Sequence, residues 1–192
     1  MDLRHVPAVL AAGLLLPAAA QSSPPLRVEI SVRIYQRADL PAAARQAAMR
    51  IAGDALAAAG VAVSWTECDA ACAVPDAGEL IVRVIRAADA STGIDRRVLG
   101  EAFVDIAHAN GVLATIYVDH VAQLAEASAS DMATLLGRAM AHELGHVLLA
   151  TNTHSTRGLM RAKWTRDDLR RERPVDWRFT EEDAQAMRER LR

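Results

Sequence analysis

The first elements of the chain are visible in the spacing of apolar residues. Leu26 to Tyr35, "LRVEISVRIY", alternates apolar and polar positions and is rich in β-branched residues, which predicts a half-buried strand. From Asp39 to Ala59 the spacing becomes helical and stops at Gly60, as expected of a helix C-terminus. The predicted buried stripe of this helix comprises Ala43, Ala47, Ile51, Ala55 and Leu56. Val61 to Trp65 and Glu79 to Arg86 then predict two further strands, so the chain opens with a parallel strand-helix-strand crossover unit.

A hairpin is predicted next. Leu99 to Asp119 contains two strand-like runs on either side of Asn110 and Gly111. An Asn-Gly pair between strands is a strong short hairpin signal, because both residues tolerate the positive φ angles of a tight turn. We therefore expect an antiparallel pair beside a parallel sheet.

Three helices are predicted in the remaining chain. The longest spans Ser128 to Ala150 with Ser130 or Asp131 as its N-cap, and a short one begins near Thr165. The last runs from Thr180 to the end of the chain and opens with an arrangement close to a capping box. The predicted fold is α+β: a mixed, twisted sheet of about five strands with one antiparallel edge strand, two long helices and a C-terminal helix.

The N-terminal segment has the features of a secretory signal peptide. A short basic start is followed by an apolar run from Val6 to Leu16 and by small residues up to Ala20. The competing interpretation is a membrane-spanning helix, but this run is well short of the roughly 20 apolar residues that a bilayer requires. We expect residues 1–20 to be a signal peptide and residues 21–192 to form a single domain. The protein is then expected to be secreted or periplasmic, without stable membrane insertion after the signal peptide is cleaved.

Charge and cysteine content narrow the function classes further. The formal net charge is −2, and acidic and basic residues are mixed along the C-terminal third, so the sequence gives no electrostatic indication of nucleic-acid binding. In an exported chain, the closely spaced pair Cys68 and Cys72 favours a disulfide over half of a metal site. Oligomeric state is not encoded in any visible pattern, and a monomer is favoured.

The stretch from His142 to Met160, "HELGHVLLATNTHSTRGLM", is where the sequence predicts chemistry. Residues four apart share one face of a helix, so His142 and His146 can direct their imidazoles at one zinc ion while Glu143 lies beside them. Gly145, which costs about 1 kcal/mol in a helix interior, lies between the two histidines and indicates a tertiary constraint there.

This stretch resembles the zinc-binding segment of the metzincin metallopeptidases, and most of all the matrixin-type branch. Those enzymes carry His-Glu-x-x-His-x-x-Gly-x-x-His followed by a methionine turn. The resemblance implies that His142, His146 and His154 are zinc ligands, that Glu143 is the general base and that Met160 is the turn methionine. It also implies a metzincin-like catalytic domain, which begins with the same order of strands and helices that the pattern predicts.

The segment departs from the family pattern at the turn. Leu149 occupies the glycine position and His154 comes two residues later than in the family. We expect the chain reversal to move into Ala150 to Thr153, where Asn152 is the residue best able to adopt a left-handed conformation without being glycine. A downstream glutamate is the alternative third ligand, as in thermolysin-like enzymes. The candidates are Glu172, Glu181 and Glu182.

The resemblance implies a zinc endopeptidase that acts on a peptide or protein substrate. Glu143 would take a proton from a zinc-activated water, and the substrate would pair with an edge strand carrying Glu101 and Asp105. The rival hypothesis is an inactive zinc-containing binding protein on the same scaffold. Trp164 either lines the specificity pocket or packs beneath the methionine turn, and packing is favoured. We expect His108 and His120 to be surface residues outside the metal site.

Overall fold

The computed structural model describes residues 28–68, 72–90, 93–108 and 110–192. The predicted signal peptide, residues 1–20, lies outside the described residues. The strands are β1 (Val28–Gln36), β2 (Val61–Cys68), β3 (Leu80–Ile85), β4 (Gly100–Asp105) and β5 (Asn110–Tyr117). The helices are α1 (Ala42–Ala58), α2 (Val118–Ser128), α3 (Met132–Leu149), α4 (Arg166–Arg171) and α5 (Glu181–Arg190). Short 3-10 turns occupy Ala87–Asp89 and Pro174–Trp177.

The strands form one mixed sheet in the order β2-β1-β3-β5-β4. Strands β2, β1, β3 and β5 run parallel to one another, and β4 pairs antiparallel to β5 at the edge of the sheet. The predicted α+β fold, with a five-stranded sheet and one antiparallel edge strand, is therefore confirmed. This topology places the edge strand β4 in contact with α3, which carries two of the predicted metal ligands.

The core lies between the sheet and helices α1 and α3. Buried strand residues such as Val32, Val82 and Ile116 join one apolar cluster with residues of both helices. The stripe predicted for α1 is partly wrong: Ala48, Ala52 and Leu56 are its buried residues. Close helix packing explains the shift, because a Cβ on Gly137 of α3 would lie only 2.6 Å from the backbone oxygen of Ala48.

The β4–β5 hairpin is present, but its predicted turn is wrong. Asn110 and Gly111 belong to β5, and the chain reverses before them, where the Asp105 carboxylate accepts the backbone N–H groups of Ala107 and His108. A Cβ on Gly111 would lie 3.0 Å from the backbone of Val147 in α3. That glycine therefore allows a helix to approach the sheet instead of forming a turn.

Helix α2 has no counterpart in the sequence prediction. It begins at Val118, directly after β5 ends at Tyr117, and no side chain caps its N-terminus. Within the described residues, no helix has both the length and the apolar character needed to cross a membrane. The predicted disulfide between Cys68 and Cys72 is present at the end of β2.

Candidate metal centre

Helix α3 presents the first two histidines of the predicted site. Its N-terminus is capped by Asp131, one of the two predicted N-caps, whose carboxylate accepts the Thr134 backbone N–H at 2.7 Å. His142 and His146 lie one turn apart on the same face and are both buried. Their Nε2 atoms are 3.1 Å apart, as the four-residue spacing predicts.

The chain reverses immediately after α3. Ala150, with φ 49°, adopts the left-handed conformation at the C-cap, one residue after Leu149. The reversal therefore lies within Ala150 to Thr153, as predicted, but the left-handed residue is Ala150 and not Asn152, which is not among the described residues with positive φ. The following turn is closed by Thr151, whose Oγ1 accepts the backbone N–H of Thr153 at 3.1 Å.

The third histidine meets the first two. The Nε2 atom of His154 lies 3.3 Å from that of His146, and one ring nitrogen from each of the three histidines lies within 4.8 Å of the others. In the described part of the chain, this is the one group of three or more His, Cys, Asp or Glu residues placed to hold a metal ion. His154 is exposed, so this side of the cluster faces solvent.

Backbone carbonyls fix the orientation of the two helical imidazoles. Nδ1 of His142 lies 2.8 Å from the Leu159 carbonyl, and Nδ1 of His146 lies 2.8 Å from the Thr151 carbonyl. A carbonyl only accepts, so each Nδ1 carries the proton and each Nε2 has a free lone pair. Burial lowers the pKa of His142 to about 4 and also lowers the pKa of His146, which keeps both rings neutral near pH 7.

Two contacts hold the segment that carries His154. The backbone N–H of Ser155 donates to the Met160 carbonyl at 2.9 Å, which closes the loop between the third histidine and the methionine. The Ser155 hydroxyl lies 3.3 Å from the carboxylate of Asp183, which also completes the capping box of α5 with Thr180. The predicted capping box is thus confirmed, and it anchors the loop of the third histidine.

The alternative glutamate ligands lie elsewhere. Glu172 forms a bidentate ion pair with Arg138 at 3.1 and 3.2 Å, and Glu181 pairs with Arg188 at 2.9 Å. Glu182 is exposed on α5 and is not part of the histidine cluster. The arrangement therefore favours His154 as the third ligand.

Met160 fills the space beneath α3 and explains the glycine between the two histidines. Met160 is 1% exposed, and a Cβ on Gly145 would lie 2.5 Å from its Sδ atom and 2.7 Å from the ring of Phe179. No other residue fits this position without displacing them. Gly158 makes the preceding bend with a φ of 73°.

Glu143 lies beside the cluster and against the edge strand. A Cβ on Gly100 of β4 would lie 2.8 Å from the Glu143 Cγ atom, so only glycine leaves room for this side chain. Burial, together with the nearby Glu101 carboxylate, raises the pKa of Glu143 to about 8. Among the described residues, no hydrogen bond or ion pair reaches the Glu143 side chain.

Trp164 has a larger role than the packing predicted for it. Its ring meets His142 edge-on at 5.8 Å, and it also lines the cleft beside the cluster. Trp177 packs edge-on against Trp164 at 5.3 Å, and the Arg138 guanidinium lies 3.8 Å from the Trp177 ring. The side chains of Arg138, Trp177 and Trp164 thus form a continuous chain of contacts that ends at His142.

Within the described residues, the two histidines outside the motif differ from each other. His108 is exposed, as predicted, and its ring contacts the Asp105 carboxylate at 2.7 Å. His120 is buried, so the predicted surface position is wrong: it lies in α2 with Nδ1 2.8 Å from the Val98 carbonyl. Its burial follows from α2, which the sequence pattern did not reveal.

The residues of this cluster fit a zinc ion. Ligand nitrogens about 2.0–2.1 Å from a tetrahedral metal are roughly 3.3 Å apart, close to the 3.1 Å between the Nε2 atoms of His142 and His146 and the 3.3 Å between those of His146 and His154. The ligand nitrogens of all three residues lie within 4.8 Å of one another. Facing lone pairs at such distances repel each other unless a cation lies between them. The buried Glu143 carboxyl beside them also lacks a positive partner, which a metal would supply.

Comparison with known proteins supports the fold. No model of a known protein family matches the chain, and no curated protein matches it in sequence. Among solved structures, the crystal structure of archaemetzincin from Methanopyrus kandleri is similar, with a TM-score of 0.53 at 12% identity. The match covers 85% of this chain and 96% of that one. The chain therefore has an archaemetzincin-like zincin fold, which supports the metzincin-like architecture; nothing in this likeness indicates the matrixin branch.

Proposed function

We propose that this protein is an exported zinc-dependent endopeptidase in which His142, His146 and His154 hold the metal and Glu143 is the general base. The observation that carries the proposal is the convergence of three Nε2 atoms beside a buried carboxyl group, at the inner end of an open cleft. Three protein ligands with a solvent-facing side are typical of catalytic zinc, whereas structural sites are closed by four.

Glu143 is placed to move the proton of the reaction. A zinc ion bound there would lower the pKa of a water molecule toward about 7 and polarise the substrate carbonyl. Glu143 takes the proton from that water and delivers it to the leaving amine when the peptide bond breaks. The positive charge of the metal counters the effect of burial on the pKa of Glu143 and favours the ionised form that a base requires.

The edge strand offers a place for the substrate backbone. β4 ends the sheet, so one row of its backbone groups is free to pair with an extended peptide. Gly100 lies on this strand in contact with Glu143, so a peptide paired along β4 passes the candidate base. Glu101 and Asp105 are exposed on the same strand. This edge supports cleavage within a chain, and we propose a peptide or protein as the substrate.

Export is supported by two features of the chain. The segment of residues 1–20 has the charge and apolar pattern of a signal peptide, and the Cys68–Cys72 disulfide is typical of an oxidising compartment. We propose a secreted or periplasmic monomer with its domain spanning residues 21–192. N-terminal sequencing of protein recovered outside the cytoplasm tests this, and an unprocessed N-terminus would contradict cleavage.

Replacement of Glu143 separates catalysis from metal binding. Glu143→Ala should retain zinc, measured by elemental analysis, while hydrolysis of a denatured protein or peptide library falls at least about 100-fold. Glu126→Ala, an exposed position on α2 outside the cleft, is the matched control and should keep full activity. Activity in the Glu143 variant would refute the mechanism. Zinc binding without chelator-sensitive hydrolysis in the wild type would instead indicate a zinc-containing binding protein.

A further inference from the structure

A cleft of about 860 Å³ opens beside the metal cluster, a volume within the usual range for ligand sites. The residues that line it include His142, Glu143 and His154 of the metal site together with residues of α2. It is also lined by residues 95–100, which lead into β4, and by residues 161–165, which follow the methionine turn. A substrate held at the metal would therefore place a neighbouring residue in this cleft.

The surface of the cleft is largely apolar, but four cationic side chains also line it. Leu99, Leu124, Ala139 and Trp164 contribute apolar surface. The cationic residues are Arg96, Arg97, Arg161 and Lys163. Whether the cleft favours an anion depends on how many of these charges are already neutralised.

Two of the four cations are balanced by carboxylates of the protein. The Arg97 guanidinium lies 2.6 Å from the Asp95 carboxylate, so these two charges cancel. Nη1 of Arg161 lies 3.7 Å from Asp168 and 3.4 Å from Asp176, which balance its charge, while its Nε and Nη2 atoms are buried without a hydrogen-bond partner among the described residues. Neither arginine therefore adds an uncompensated charge to the cleft.

The other two cations have no such partner. Within the described residues, neither Arg96 nor Lys163 forms an ion pair or a side-chain hydrogen bond, and both are exposed. Lys163 is also the only lysine in the sequence. The acidic groups of the cleft are Asp95, which is already paired, and the buried Glu143. The cleft therefore has two uncompensated positive charges, one on the segment that leads into β4 and one on the segment that follows the methionine turn.

We propose that this cleft selects a substrate carboxylate next to the scissile bond and that Arg96 and Lys163 determine this specificity. The proposal rests on the proposed peptidase function, because the metal site defines which bond is cut. The carboxylate comes from an acidic side chain or from the C-terminus of the substrate, since the same two cations recognise both. The apolar walls accommodate the methylene groups that carry an acidic side chain.

Binding of metal-anchored probes tests the proposal without requiring hydrolysis. The probes are short hydroxamates whose hydroxamate group binds the zinc and whose adjacent residue is Glu, Gln, Leu or Lys, with an amidated C-terminus. Calorimetry on the zinc-loaded protein should show the Glu probe binding about tenfold more tightly than the Gln probe. Arg96 and Lys163 each form one exposed ion pair with the carboxylate, and each pair contributes up to about fivefold. In about 1 M salt the difference should largely disappear.

Variants assign the selectivity to the two side chains. Arg96→Gln and Lys163→Met should each reduce the Glu-to-Gln ratio about threefold, and the double variant should bring it close to one. Arg173→Gln, at an exposed arginine outside the cleft, is the matched control and should leave the ratio unchanged. Because Lys163 is the only lysine, an amine-reactive reagent modifies it alone besides the N-terminal amine. The Glu probe should protect Lys163 from modification more than the Gln probe does.

The remaining outcomes distinguish the source of the carboxylate and decide the proposal. If the Gln probe with a free C-terminus binds as tightly as the amidated Glu probe, the cations recognise a chain terminus. Equal or tighter binding of the Leu or Lys probe would overturn the proposal, as would a ratio unchanged in the double variant. Selective binding without hydrolysis of any peptide would refute the peptidase function while leaving the carboxylate specificity intact.

Discussion

The same substitution in two helices should have opposite effects on stability. Gly145 in α3 and Gly53 in α1 both lie in helix interiors, where alanine is intrinsically better by about 1 kcal/mol. A Cβ on Gly53 would meet Trp65 at 3.5 Å, an ordinary contact. A Cβ on Gly145 would meet the buried Met160 at 2.5 Å and Phe179 at 2.7 Å, so both must move.

The contacts set the expected magnitudes. Overpacking costs about 1–3 kcal/mol, so after the propensity gain of about 1 kcal/mol Gly145→Ala should destabilise the protein by up to about 2 kcal/mol. For a chain of this size, that corresponds to a Tm up to about 8 °C lower. Gly53→Ala should raise the Tm by about 2–4 °C. Thermal and urea unfolding of both variants measure the difference, and a Gly145→Ala variant stabilised as much as Gly53→Ala would refute the floor packing inferred for Met160.

Three further predictions concern the ligands and the turn. His154→Ala should lower zinc affinity by more than the roughly 10- to 100-fold that is typical when a residue supporting a metal ligand is replaced. Glu172→Ala should leave zinc affinity unchanged. The reverse result would identify the glutamate as the ligand. Since the pKa of His142 falls to about 4 on folding, the unfolded chain binds more protons below its ordinary value of about 6.5. In the metal-free protein His142 should therefore remove about 3 kcal/mol of stability as pH falls from about 6.5 to about 4, whereas Glu143, whose pKa is raised to about 8, should add stability as pH falls from about 8 to its ordinary value of about 4.5. Urea titrations therefore compare wild type with His142→Gln, and the wild type should lose about 3 kcal/mol relative to the variant over the His142 range. Ala150→Gly should stabilise the protein by up to about 1 kcal/mol, because glycine adopts the left-handed conformation without strain. Asn152→Gly should bring no such gain, and equal effects of the two substitutions in thermal unfolding would contradict the turn geometry.

Local patterns were sufficient for much of the fold. The period-2 and helical stretches predicted β1, α1, β2 and β3 because each of these elements buries one face against a common core. α2 was missed because it follows β5 without a glycine, proline or capping residue, so nothing local marks the change of period. Its absence from the prediction also placed His120 on the surface.

The other features that the sequence analysis missed occur where two elements pack closely in the folded chain. Asn110 and Gly111 have the composition of a tight turn, but Gly111 is needed where β5 meets Val147 on α3. Likewise, Gly100 is needed where β4 meets Glu143, and the two residues are far apart in sequence. The spacing of the histidines predicted which side chains converge, whereas the strand supporting the candidate base appears only once the chain is folded.

The late third histidine is accommodated by a turn that also serves the site. The helix ends at Leu149, and the residues between it and His154 form the reversal at Ala150 and the closed turn from Thr151 to Thr153. The Thr151 carbonyl accepts the Nδ1–H of His146 and thereby directs the Nε2 lone pair of His146 toward the other two histidines. The longer connection thus supplies the group that orients the second ligand. This is a reason to expect that shortening the turn would weaken metal binding through His146 as well as through His154.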